Sequence, residues 1–144
     1  MTRETKARRA SRAKLIFKRL ARTYPDAKCA LDYRNAFELL CATILSAQCT
    51  DARVNLVTPT LFARFPTPQA LAVASPGEVQ DIIRSAGFFR NKTKSLIGMA
   101  RALMADCGGE VPRSMEQLRR LPGVGRKTAN VVLGNAYGIN EGIA

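Results

Sequence analysis

A chain of 144 residues, 47% of them apolar, is long enough to bury a core and too hydrophobic to be disordered throughout. Its 23 lysines and arginines against 11 acids leave a formal charge of +12 and a pI near 10.3, which points to a polyanionic partner, nucleic acid before an anionic membrane surface. No apolar run approaches the roughly 18 residues that span a bilayer, and the charged N-terminus lacks the apolar stretch of a signal peptide, so a cytoplasmic protein is expected.

Residues 3–24 read as a basic helix, with nine cations and one acid, Glu4, between Arg3 and Arg22. Ile16, Phe17, Leu20 and Tyr24 give it a narrow apolar stripe. Its charge suits electrostatic steering to nucleic acid; a solvated helix face is the plain alternative, and the N-terminal half lacks the apolar face of a membrane-surface helix. Pro25 opens a loop over 25–34. Phe37, Leu40, Cys41, Ile44 and Leu45 then recur at helical spacing, predicting a central core helix over 35–47. It ends in Ser46-Ala47-Gln48-Cys49-Thr50-Asp51, where Thr50 and Asp51 are good caps for a helix over 51–64 that turns Val54, Val57 and Leu61 inward. Gln48 is the odd residue there: a long amide between two helices with no local capping role, or simply a solvent-facing turn residue.

Thr67-Pro68 opens a short helix over 68–73. Ser75-Pro76-Gly77-Glu78 is a capping box with proline at the first helical position. The helix it starts carries Val79, Ile82 and Ile83 and stops at Gly87. Phe88-Phe89-Arg90-Asn91-Lys92 reads as a loop. Aromatics exposed beside cations suit stacking into nucleic acid; buried, they would anchor the loop instead. Leu96, Ile97, Ala100, Leu103 and Met104 carry another helix, ended by Gly108-Gly109. Ser114-Met115-Glu116-Gln117 is a second capping box. No segment alternates in the manner of a strand, so the chain is predicted all-α, with about seven or eight short helices.

Cys29, Cys41, Cys49 and Cys107 match no zinc-finger or C-x-x-C spacing, and there is no histidine to complete a set. All four are expected as free thiols, Cys41 on a buried apolar face, with no metal site in this chain.

The stretch Leu121-Pro122-Gly123-Val124-Gly125-Arg126-Lys127-Thr128-Ala129 lies between two helical runs. Two glycines around one apolar residue make a hairpin that brings bare amides to the surface at the start of a helix. Such N–H groups, with the helix dipole behind them, bind an anion such as phosphate. A tight turn between two core helices is the plainer reading. Lys127 sits in the first helical turn beside Arg126. Positive charge is unfavourable at that end of a helix, which helps make a lysine there a neutral nucleophile; phosphate binding is the competing role.

Leu121–Ala129 followed by Asn130-Val131-Val132-Leu133, together with Ser46-Ala47-Gln48, Thr50-Asp51 and Gly87–Lys92, resembles the endonuclease III family of bacterial base-excision DNA glycosylases. The resemblance runs from about residue 12 to the end of the chain. The hairpin alone would specify only the helix-hairpin-helix superfamily; the lysine points to its bifunctional branch and away from the adenine-specific one. The implied fold is a helix-hairpin-helix DNA glycosylase: residues 1–24 a basic helix of an incomplete second domain, residues 25–144 a six-helix barrel-like domain. The implied activity is excision of oxidised or ring-saturated pyrimidines from double-stranded DNA, with lyase cleavage at the abasic site, by a monomer in the bacterial cytoplasm. By the same resemblance Lys127 attacks C1′ and forms a Schiff base, and β-elimination cuts the strand. Gln48 fills the gap left by the flipped nucleotide, and Phe88 enters from the opposing side. Gly123, Val124 and Gly125 give amides to a DNA phosphate, beside Arg126.

Two family features have no counterpart here. The Val-Asp-Thr-His string, whose aspartate helps activate the nucleophile, and the four-cysteine motif that holds a 4Fe–4S cluster both belong beyond Ala144. Asp51, Asp81 and Glu141 match no catalytic position of the family. The resemblance therefore implies no cluster in this chain and impaired catalysis with DNA affinity retained. A non-catalytic helix-hairpin-helix DNA-binding module is the alternative. The Ile16, Phe17 and Leu20 stripe is expected to be underpacked.

Overall fold

The apolar spacing from Phe37 to Leu45 builds the helix around which the others are arranged. In the computed structural model, which describes residues 3–23 and 29–140, the helices are α1 Lys6–Thr23, α2 Ala36–Leu45, α3 Asp51–Arg64, α4 Pro68–Ala72, α5 Pro76–Ile83, α6 Phe89–Asp106, α7 Met115–Arg119 and α8 Arg126–Ala136. A 3₁₀ turn over Arg84–Ala86 follows α5, and no strand occurs among the described residues. The chain is all-α. Tyr24, Pro25 and Glu141 lie outside the described residues.

Every residue of α2 from Phe37 to Leu45 is buried, as befits a helix apolar on all sides. It packs against α3, α6 and α8. Its polar members are Thr43 and Glu38, whose buried carboxylate accepts the Arg34 backbone N–H at 3.2 Å and its Nε at 3.1 Å. Asn35 caps the helix by accepting the Glu38 N–H at 2.9 Å. The long helix α6 packs against α4 and α5, and α7 and α8 pack on each other. Leu96, Met99, Leu103, Leu118, Val132 and Leu133 complete the core.

Thr50, Thr67 and Ser114 cap α3, α4 and α7, each accepting the backbone N–H of the third residue of its helix. The box at Ser75 does not form. Pro76 takes the first helical position, but the Ser75 side chain makes no cap bond. Glu78 reaches across to the Arg64 guanidinium of α3 instead, so a charged tertiary partner displaces the local one. The stretch after Gly87 also departs from the loop reading. Only Phe88 is irregular, in the left-handed region with φ 47°, and α6 begins at Phe89.

The basic helix α1 buries no residue. Leu15, Ile16, Phe17 and Leu20 all stand exposed, Phe17 at 69%. The apolar stripe has no covering among the described residues, in line with the expected underpacking.

Candidate nucleic-acid interface

The hairpin between α7 and α8 is held by its apolar members. Leu121 and Val124 point into the core. Gly123 lies at φ 75°, and a Cβ there would meet the Ser95 Cβ of α6 at 2.6 Å. Pro122 rests on Gly98 of the same helix, where an added Cβ would stand 3.4 Å from the proline ring. Glycine is thus required at 123 by both conformation and space. Gly125 is different. Its φ is −95°, ordinary for any residue, and an added Cβ would meet nothing within 4 Å. Neither the backbone conformation nor any neighbouring atom requires glycine there, and the space over it is open.

Gly125 is the N-cap of α8 and has no side chain to offer, so the first-turn N–H groups, which have no intrahelical acceptors, face outward uncapped. Arg126 and Lys127 are exposed beside them. Val124 departs from the expectation of three phosphate-facing amides. Its N–H donates to the Leu121 carbonyl at 3.2 Å and its side chain is buried. The turn closes on itself there, leaving Gly123, Gly125 and the start of α8 to present donors outward.

Gln48 and Phe88 are the only described non-glycine residues with positive φ, at 52° and 47°. Left-handed backbone costs such residues on the order of 1 kcal/mol or more each and persists where the surroundings enforce it. Both are exposed, and with Asn91, Lys92, Ser95 and Gly123 they line one pocket of about 230 Å³. The fold therefore gathers Gln48, Phe88 and the hairpin glycine, which are far apart in sequence. Phe89 is the half-buried member of the aromatic pair, with the Arg84 and Arg90 guanidinium groups 4.8 and 5.0 Å from its ring centre.

Lys92 was not singled out by its sequence position, yet it is buried beneath this pocket. Its Nζ donates to the Ala86 carbonyl at 3.0 Å, and its N–H to the Phe88 carbonyl at 3.0 Å. One residue thus ties down the turn that holds Phe88. Burial pushes its amine below the usual lysine range, against a smaller opposing effect of Cys49.

Lys127 lines a second cleft, of about 420 Å³, together with Ser46, Thr43, Asp51, Val131 and Asn135. The Ala30 segment of the lining is held to α3 by Asn55, a role with no local sequence signal. Its amide donates to the Ala30 carbonyl at 2.9 Å and accepts the Asp32 N–H at 2.8 Å, tying the 30–32 segment to α3. A larger groove of about 750 Å³ around Tyr33, Glu38 and Phe62 contains none of the predicted site residues.

The four cysteines are free, and no group of three or more His, Cys, Asp or Glu converges among the described residues. Burial pushes the Cys41 thiol up, Glu38 adding to it. The cysteines present do not fit a four-thiolate cluster. No helix among the described residues is long and apolar enough to cross a membrane.

Residues 41–138 match the HhH-GPD superfamily of base excision DNA repair proteins. Endonuclease III of Synechocystis is 53% identical over 139 residues, covering 96% of this chain and 62% of that protein. Endonuclease III of Escherichia coli K12 is 41% identical over 123 residues, covering 85% of this chain and 58% of its own length. Among solved structures, a non-covalent endonuclease III–DNA complex superposes with a TM-score of 0.83 at 45% identity, over 89% of this chain and 60% of that one. A thermostable thymine-DNA glycosylase shares the fold with a TM-score of 0.82 at 22% identity. The chain spans about three-fifths of the length of these relatives. It belongs to the HhH-GPD superfamily of base excision DNA repair proteins.

Proposed function

We propose that this chain carries the DNA-binding hairpin and nucleophile of an endonuclease III-type DNA glycosylase and abasic-site lyase, acting on oxidised or ring-saturated pyrimidines in double-stranded DNA. The observation that carries this reading is the exposed Lys127, at an uncapped helix N-terminus, in a cleft beside the pocket shared by Gln48 and Phe88. The outward amides of Gly123, Gly125 and the first turn of α8, with Arg126, hold a DNA phosphate. Gln48 and Phe88 occupy the space vacated when the damaged nucleotide swings out. Lys127 Nζ then attacks C1′; the C1′–base bond breaks, the base leaves, and the nitrogen remains bound as a Schiff base. β-Elimination expels the 3′ phosphate. The protein acts as a monomer in the cytoplasm, on DNA of the nucleoid, and residues 1–24 belong with a second domain. The family's activating aspartate is not among these 144 residues, so the polypeptide itself is expected to excise bases weakly while keeping its affinity for DNA.

Borohydride trapping on duplex DNA with a single abasic site tests the reading. A covalent adduct is expected with the unsubstituted chain and none with Lys127→Ala, whose binding to the same duplex should be nearly unchanged. No adduct from either, with salt-dependent binding intact, would leave only a non-catalytic DNA-binding module.

A further inference from the structure

Resting on that reading, we propose that Asp51 is the base that removes the C2′ proton in the strand-cutting step. It lines the 420 Å³ cleft together with Lys127. The hydroxyl and amide side chains of the lining are committed elsewhere, and Cys29 adds an uncharged thiol. Thr43 Oγ1 donates to the Leu39 carbonyl at 2.7 Å, Ser46 Oγ to the Thr43 carbonyl at 2.6 Å, and Asn135 Nδ2 to the Val131 carbonyl at 2.9 Å. Asp51 and Lys127 are the charged groups of the lining, and neither side chain has a partner among the described residues. They do not pair with each other either, so the space between them is open to a sugar.

The structural explanation for Asp51 is an acid in the first turn of α3, where it is favourable to the helix dipole. Capping does not need it, because Thr50 Oγ1 already accepts the Arg53 N–H at 3.2 Å. Glu4, Glu38, Glu78, Asp81 and Glu116 are each paired with an arginine. Asp51, like Asp32, Asp106 and Glu110, has no such partner among the described residues, but of these four it alone lines the cleft with Lys127, on a face meant for phosphate, where an unneutralised carboxylate opposes binding. A carboxylate at that place suits proton transfer at the sugar better than DNA affinity.

With Lys127 Nζ double-bonded to C1′ as an iminium, the C2′–H bond is acidified. The Asp51 carboxylate accepts that proton as the bond breaks, and the released pair forms the C1′=C2′ double bond of an enamine. When the nitrogen lone pair returns to C1′, the C1′=C2′ pair shifts to C2′=C3′. The C3′–O bond breaks and the phosphate leaves with its electrons. No oxidant, reductant or metal enters the balance.

The test uses the 144-residue chain, Asp51→Asn, Asp51→Glu and Lys127→Ala on duplex DNA with a preformed abasic site. Borohydride-trapped adduct and strand cutting are followed separately. Asp51→Asn is expected to trap within about twofold of the unsubstituted chain and to cut roughly 100-fold more slowly, in line with loss of a general base. Asp51→Glu should restore part of the cutting. Asp51→Asn cutting at the unsubstituted rate would overturn the assignment, and so would parallel loss of adduct and cutting, which places Asp51 before the imine or in the fold. Absence of adduct from the unsubstituted chain would instead overturn the functional reading, and this one with it.

Discussion

Gly123 and Gly125 stand two residues apart in one hairpin and are glycine for different reasons. At 123 the φ of 75° and the Ser95 Cβ at 2.6 Å leave no room for a side chain, whereas at 125 the protein leaves the space empty. Gly123→Ala is therefore expected to destabilise the fold by about 1–3 kcal/mol through backbone strain and a clash with α6. Gly125→Ala should change stability by no more than about 0.5 kcal/mol while weakening DNA binding, because on the proposed reading its methyl group would occupy the space of a phosphate. Thermal denaturation and DNA titration of the two variants check the pair. Equal destabilisation would remove the argument that position 125 is shaped by a ligand.

Elements divide by what they bury. α2 is apolar on every side, with Leu39, Leu40 and Leu45 wholly inaccessible, while α1 buries nothing. Leu40→Ala is expected to cost about 2–5 kcal/mol, the transfer term plus an unfilled cavity. Phe17→Ala should stay within about 0.5 kcal/mol of the unsubstituted chain despite the larger side chain removed. Denaturant midpoints decide between them, and amide exchange should find α1 poorly protected and α2 strongly so. A large loss from Phe17→Ala would mean that α1 docks on the bundle after all. The unformed box at Ser75 belongs to this scale too. Its local pattern was sound, but the Ser75 side chain makes no cap bond and Glu78 pairs with an arginine of α3.

At the scale of the molecule, the charge of +12 sets how the chain meets a polyanion. DNA affinity is expected to fall linearly in log–log form with salt, by roughly 0.9 per phosphate neutralised. Arg126→Ala should lower the magnitude of that slope by about one if it pairs with a phosphate beside the hairpin. Fluorescence anisotropy across a salt series measures both. A slope unchanged in Arg126→Ala would place the phosphate elsewhere.

Local signals carried much of the reading. Helical spacing identified α2, threonine and serine marked the starts of α3, α4 and α7, and the nine residues from Leu121 marked the hairpin, because each depends on neighbours within a turn or two of chain. The same residues supported the family resemblance. What the sequence alone could not determine depends on distant partners. The inward turn of the Val124 amide, the burial of Lys92 under the Phe88 turn and the knitting of the 30–32 segment by Asn55 arise only when helices pack. So does the arrangement of the site itself: Gln48, Phe88 and Gly123 around one pocket, Lys127 and Asp51 lining another. Spacing along a chain determines which face of a helix is apolar, but only the closing of α2, α3, α6 and α8 on one another decides which polar side chains meet across the space between them.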